Sequence, residues 1–160
     1  MTENLILFKT DDGKIKLDVK LDNETVWLTR AQMAALFERD IKTVGKHINN
    51  ALNEELDSSA VAKFATTAAD GKTYQTEHYN LDMIISVGYR VKSRRGVQFR
   101  KWATERLKEY IIKGFTLDDE RLKELGGGGY WQELIERIRD IRASEKVFYR
   151  QVLDIYATSI

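Results

Sequence analysis

The 160-residue chain has no cysteine, no proline and only two histidines. Without cysteine there are no disulfides and no thiolate metal sites, which fits a reducing compartment. Without proline the strongest helix breaker is missing, which fits a largely helical chain. No run of about 18 apolar residues occurs, so no membrane-spanning helix is expected. The opening MTENLILFKTDDGK lacks the basic start, apolar centre and cleavage site of a secretory leader, and a cytoplasmic protein is expected. Net charge is only +1, so any polyanion partner has to be argued from local clustering. No GxSxG, Walker or dinucleotide fingerprint is present, and acid pairs such as Asp11-Asp12 and Asp118-Asp119 suit turns and caps, so neither an enzyme nor a cofactor is expected. His47 and His78 would need Glu77 or Asp82 to hold a metal, at spacings that match no metalloprotease pattern. The length suits one sizeable core, or a core plus an appendage.

Residues 28–52, LTRAQMAALFERDIKTVGKHINNAL, carry the clearest local grammar. Thr29 and Gln32 make a capping box that starts a helix. Met33, Ala34, Leu36 and Phe37 follow at helical spacing. Glu38-Arg39-Asp40 interrupts the pattern, Asp40 suits the N-cap of a second helix, and Ile41, Val44, Ile48 and Leu52 continue its apolar face. Helix, turn of about three residues, helix is the arrangement of a helix-turn-helix. Glu38 stands where many such turns place glycine, so the turn is expected to be built differently. The outer face of the second helix carries Lys42, Thr43, Lys46, His47, Asn49 and Asn50, and no acid lies between Ile41 and Asn53. Lysine and threonine suit phosphates, and asparagine, threonine and lysine suit base edges. A purely structural helix pair with close crossing at Ala34 and Ala35 satisfies the same spacings.

Before this stretch, short strands are expected at 5–8 and 15–21 around Asp11-Asp12-Gly13, the second burying Ile15, Leu17, Val19 and Leu21. Asp22-Asn23 then turns the chain into a return strand at 25–28. After the helix pair, residues 61–68 and 72–79 flank Ala69-Asp70-Gly71, a hairpin signal, with Ala62, Phe64 and Ala68 toward the core. A hairpin here is where a wing would sit, with Lys63, Lys72, Thr66, Thr67 and Thr73 near a sugar-phosphate backbone. The alternative is a hairpin that is merely exposed and soluble.

Asn80 suits an N-cap for a helix carrying Leu81, Ile84, Ile85 and Val87 and ending near Gly88. From Arg90 to Gly114 nine basic residues stand against Glu105 and Glu109, a local net of +7. Lys92, Arg94 and Arg95 are expected in a loop with Ser93 and Gly96, free to hold phosphate. The competing reading pairs some of these arginines with Asp118, Asp119 and Glu120. A helix over 97–113 is expected to bury Phe99, Trp102, Ala103, Leu107, Tyr110 and Ile111 and to close at Gly114. A short helix follows Asp118.

Gly126–Gly129 would cost about 1 kcal/mol each inside a helix, and the run reads as a hinge. Beyond it, Trp131, Leu134, Ile138, Ile141, Phe148, Val152 and Ile155 recur in steps of three and four, broken only by Glu145. Ile135, Tyr149 and Tyr156 widen the stripe. This is the seam of a coiled coil, and homodimerisation through it is set against docking within one chain.

Residues 79–115, YNLDMIISVGYRVKSRRGVQFRKWATERLKEYIIKGF, and 130–160, YWQELIERIRDIRASEKVFYRQVLDIYATSI, resemble the bacterial virulence-associated RhuM family. The helix pair at 29–50 is similar to that family's amino-terminal part. FRKWATERLKEYIIKG, residues 99–114, also resembles the last helix of the DNA-binding domain of phage BRO-type antirepressors. The resemblance implies a cytoplasmic DNA-binding protein of mobile or phage-derived origin, with no reaction, ligand or catalytic residue attached. Members are usually longer, so the chain is expected to be a fragment ending inside a helix.

The expected architecture is therefore mainly α within α+β. Residues 1–125 would form a winged helix-turn-helix-like domain with a small antiparallel sheet and a basic helical extension. A glycine hinge at 126–129 would join it to one long coiled-coil-like helix at 130–160. Its expected partners are double-stranded DNA and a second copy of the chain, with no membrane and no small-molecule substrate. A protein-interaction module using the helix pair only as a scaffold is the alternative function.

Overall fold

The computed structural model describes residues 2–10, 13–22, 25–124 and 128–159. The described chain is mainly helical with one antiparallel sheet. Strands β1 (Thr2–Thr10), β2 (Gly13–Asp22) and β3 (Thr25–Thr29) lead into helices α1 (Arg30–Phe37) and α2 (Ile41–Glu54). A 3-10 turn, Ser58–Ala60, precedes strands β4 (Val61–Thr67) and β5 (Thr73–Tyr79). Helices α3 (Leu81–Arg90), α4 (Arg94–Lys113), α5 (Asp119–Glu124), α6 (Gly128–Ala143) and α7 (Glu145–Thr158) complete the order. The sheet runs β1-β2-β3-β5-β4. β3 pairs with β2 through Thr25, Val26 and Trp27, and with β5 through Leu28 and Thr29. The turn at Asp11-Asp12 and the expected inward face of β2 lie outside the described residues and side chains.

Local chemistry sets the helix starts. Gln32 N donates to Thr29 Oγ1 at 3.1 Å and Thr29 N donates to Gln32 Oε1 at 2.8 Å, the reciprocal capping box. Asp40, Asn80, Ser93 and Ser144 cap α2, α3, α4 and α7 with the simpler one-way bond, each side-chain oxygen accepting from the amide three residues on. The α1–α2 turn corrects one expectation. Glu38 itself takes the left-handed conformation, φ 50°, that glycine usually supplies. Arg39 N donates to Ala34 O and Glu38 N to Ala35 O, so the usual helix-ending bonds form without glycine. In the hairpin, Gly71 at φ 78° reverses the chain, and Asp70 accepts from Lys72 N at 3.0 Å.

The chain divides into two compact units, Met1–Gly114 and Phe115–Ile160. In the first, Leu28 of β3, Met33, Leu36 and Phe37 of α1, and Val44, Ile48 and Ala51 of α2 form one core with Tyr79, Met83, Ile84, Val87, Val91 and Phe99. α3 and α4 meet closely at Gly88, where a Cβ would lie 2.5 Å from the Phe99 ring and 3.0 Å from Phe37. Several expected core positions lie outside. Ile41 is 52 % exposed because it falls at the first, protruding turn of α2. Leu81 and Ile85 of α3 are exposed, while Met83, Ser86 and Gly88 turn inward. Ala68 sits beyond the end of β4 and is exposed.

α4 corrects the basic loop and the amphipathic helix together. Ser93 caps it, so Arg94 and Arg95 occupy its first turn. Only Gly96 and Phe99 are fully buried on it; Leu107, Tyr110 and Ile111 are exposed because the rest of the first unit leaves the carboxyl-terminal half of α4 uncovered. The second unit corrects the single long helix. The backbone is extended at Ser144 (ψ 130°), dividing the periodic segment into α6 and α7. Gly126 and Gly127 lie outside the described residues, and Gly128 opens α6.

Candidate nucleic-acid interface

The site is built around α2. Its buried row, Val44, Gly45, Ile48 and Ala51, faces the core. Lys42, Lys46 and Asn49 are exposed on the other side, and Thr43, His47 and Asn50 stand half-buried along the flank. Asp40 Oδ1 accepts from Thr43 N at 2.8 Å and Oδ2 from Thr43 Oγ1 at 2.6 Å. Those bonds hold the Asp40 carboxyl below its usual range and commit the Thr43 hydroxyl proton to the cap. Asn49, with two donors and one acceptor, is the exposed side chain best matched to a base edge.

His47 lies in a cationic setting. Partial burial, then the charges of Arg90, Arg39 and Lys46, push its pKa below the ordinary value of 6.5. Two arginines that pattern reasoning passed over also border α2. Arg39 is exposed in the middle of the turn. Arg30 lies on the other flank, its guanidinium 3.1 Å from where a Gly45 Cβ would be. Arg30 Nη2 donates to the Tyr79 hydroxyl at 3.2 Å, which donates to Glu77 Oε2 at 2.9 Å. Glycine at position 45, amid larger residues, is the one signal that something packs there.

The +7 stretch divides into paired and exposed charges. Arg90 pairs with Glu54 at 2.8 Å and Glu55 at 3.1 Å, and Glu55 also accepts from the Ser86 hydroxyl. Ser86, then Arg90, hold the Glu55 carboxyl below its usual range. Arg100 donates to the carbonyls of Gly88 and Val91 at 3.2 and 2.9 Å, closing the end of α3. Arg95 pairs with Glu38 at 2.6 Å and is only 16 % exposed. Ser93 Oγ donates to Phe37 O at 2.7 Å, so α4 is clamped onto the α1–α2 turn twice. Arg90 and Arg95 thus find acids at the end of α2 and in the turn before it. Lys92 and Arg94 remain exposed, and no ion pair is found for either among the described residues.

The remaining expected contacts are spread out. Lys72 is exposed at the tip of the β4–β5 hairpin, next to Gly71. His78 is a core residue; its Nδ1 is 2.9 Å from Thr76 O and its ring meets Phe64 edge-on. Among the described residues no cluster of three metal-ligating side chains occurs. In the second unit Trp131, Ile138, Ile141, Phe148 and Ile155 are exposed, and Leu134 and Val152 are half-exposed. No helix among the described residues is long and apolar enough to cross a membrane.

A family model described as the virulence protein RhuM family matches residues 59–160, well over half of the chain. The chain belongs to this family. The RhuM match starts in the 3-10 turn and runs through the hairpin and all helices from α3 onward, so α1 and α2 precede it. No curated protein and no solved structure matches the chain.

Proposed function

We propose that this RhuM-family chain binds duplex DNA as a dimer, with a regulatory or antirepressor-like outcome. The observation that carries the reading is the exposed row Lys42, Lys46 and Asn49 on a capped helix with no acid between Ile41 and Asn53. Presented to the major groove, this row supplies two phosphate ligands followed by one base reader. The β4–β5 hairpin, which follows α2 after the 3-10 turn and pairs with β3 through β5, serves as the wing and brings Lys72 to the backbone. Lys92 and Arg94 hold further phosphates, and Arg95 joins them only by leaving Glu38. His47 and Asn50 line the groove-facing flank. Trp131, Leu134, Ile138, Ile141, Phe148, Val152 and Ile155 join two copies. Binding to random duplex DNA at two salt concentrations tests this, beside a Lys92/Arg94/Arg95→Ala variant. Tight binding that collapses with salt and with the triple substitution is expected; no binding at low salt overturns the reading.

The uncovered half of α4, with Leu107, Tyr110, Ile111 and Ile112 all more than half exposed, favours a second reading. There the chain binds a regulatory protein through apolar surface and α1–α2 is a scaffold. Salt separates the two, since phosphate contacts give a steep dependence and an apolar interface a shallow one.

A further inference from the structure

Among its described residues the second unit has an apolar stripe and no core. No described residue after Phe99 is buried. Ten large apolar side chains between Tyr130 and Tyr156 are 39–71 % exposed. At roughly 100 Å² of open surface each, they offer on the order of 1,000 Å² per chain, about what one partner contributes to a stable interface. α6 cannot fold back on α7 to cover it, because Ser144 alone joins them and a helical hairpin needs about 2–5 connecting residues.

We propose that α6 packs antiparallel on α7 of a second copy, with the two-fold axis passing beside Ala143 and Ser144. The stripe is symmetric about that point. Trp131 comes opposite Ile155 of the second copy, Leu134 opposite Val152, Ile138 opposite Phe148, and Ile141 opposite Glu145. The backbone break therefore falls at the centre of symmetry, where each chain can bend without interrupting a helix–helix contact. Charge rejects the parallel alternative. In a parallel, in-register pair Arg137 at a g position would face Arg142 at the next e position of the second copy, twice, and Glu145 would face its own equivalent across the seam. No g–e pair of opposite charge offsets these contacts, since the other flanking residues are Tyr130, Ile135, Ser144, Tyr149, Gln151, Tyr156 and Thr158. The antiparallel arrangement sets Arg137 beside Gln151. At the axis the two Arg142 side chains face each other at e positions, and each Glu145 lies near Arg142 of the other chain, so two carboxylates offset that one like-charge contact and the carboxylate in an apolar column is explained.

This rests on the dimer of the proposed function but not on DNA, and its test uses none. The full chain contains no cysteine, so single-cysteine variants report cleanly. Ile138→Cys and Phe148→Cys are prepared separately, mixed, and oxidised at micromolar concentration. The mixture is expected to give at least tenfold more covalent dimer than either variant alone. Self-crosslinking of each variant as strongly as the mixture means a parallel pair and overturns the proposal. A monomer by light scattering for the unsubstituted chain, with no crosslink in any sample, also overturns it. Arg137→Glu supplies a readout without engineered thiols. It would strengthen a parallel dimer by converting two repulsions into attractions and is expected to change the dimer's dissociation constant less than about threefold. If the crosslinking succeeds and duplex binding fails, the assembly stands and the DNA reading falls.

Discussion

The helix pairs α1–α2 and α6–α7 are built alike and end differently. Each has an apolar row at helical spacing and a side-chain cap where the second helix begins, Asp40 in one and Ser144 in the other. In the first pair the rows meet β3, β5, α3 and α4, so Met33, Phe37, Val44 and Ile48 are almost fully buried. In the second pair equally apolar rows remain open. The difference is the turn. Glu38, Arg39 and Asp40 give α1 and α2 room to cross, whereas a single extended Ser144 holds α6 and α7 apart. Apolar periodicity states that a face must be covered, and connection length decides whether the same chain can cover it.

The sharpest way to break this contrast is to overfill the packed unit. Gly88→Ala places a methyl 2.5 Å from Phe99 and is expected to cost about 1–3 kcal/mol, independent of protein concentration, in thermal melts of the first unit. Ile138→Asp should leave that melt in place and abolish self-association instead. If both substitutions destabilise the first unit alike, the two regions are not energetically separate.

On the functional side, Lys92/Arg94/Arg95→Ala should weaken duplex binding and flatten the slope of log affinity against log salt by about 2 to 3. Arg95 acts structurally through Glu38 in the free chain, so the smaller figure means that it stays there. Lys46→Ala should lower affinity evenly across sequences and reduce the slope by about 1. Asn49→Ala should cost about 1–3 kcal/mol on a selected site and little on random DNA. An equal loss on all sequences removes Asn49 as a base reader.

A smaller effect is expected from pH. His47 has a lowered pKa, first from partial burial and then from three cations, so its neutral form is favoured in the free fold and protonation costs stability as pH falls below 6.5. Phosphates alongside α2 would raise that pKa, so binding should take up a proton and tighten as pH falls through the window between the free and bound values. With only two histidines, the titration is resolvable by NMR. A His47 midpoint that does not move on adding duplex takes His47 out of the interface. The smallest expected change is Asp40→Ala, which removes the α2 cap and should lower the melting temperature by about 2–4 °C.

Much of this molecule follows from short-range chemistry, and there the sequence reading succeeds. The Thr29–Gln32 box, the Asp40, Asn80 and Asp118 caps, the Asp70-Gly71 reversal and the Gly114 helix end depend on bonds within a few residues, so their partners are legible in order along the chain. Family membership is equally a property of sequence. The Glu38 turn is not legible in the sequence, because a left-handed residue need not be glycine when neighbouring bonds and an ion pair with Arg95 hold it. The break at Ser144 was hidden because heptad spacing continues across it, although serine before glutamate and lysine is ordinary capping chemistry.

What only the tertiary structure decided is which charges and apolar side chains are already occupied. The sequence by itself determines that residues 90–114 are strongly basic and that residues 131–155 are periodic. It does not tell that Arg90 reaches Glu54 and Glu55, that Arg95 reaches Glu38, or that Arg100 closes the end of α3, leaving Lys92 and Arg94 exposed. Those partners lie between 9 and 57 positions away along the chain, and they become neighbours only when α3 and α4 pack against the α1–α2 pair. Local sequence sets where each helix begins and which face is apolar; long-range packing sets what that face and its charges meet.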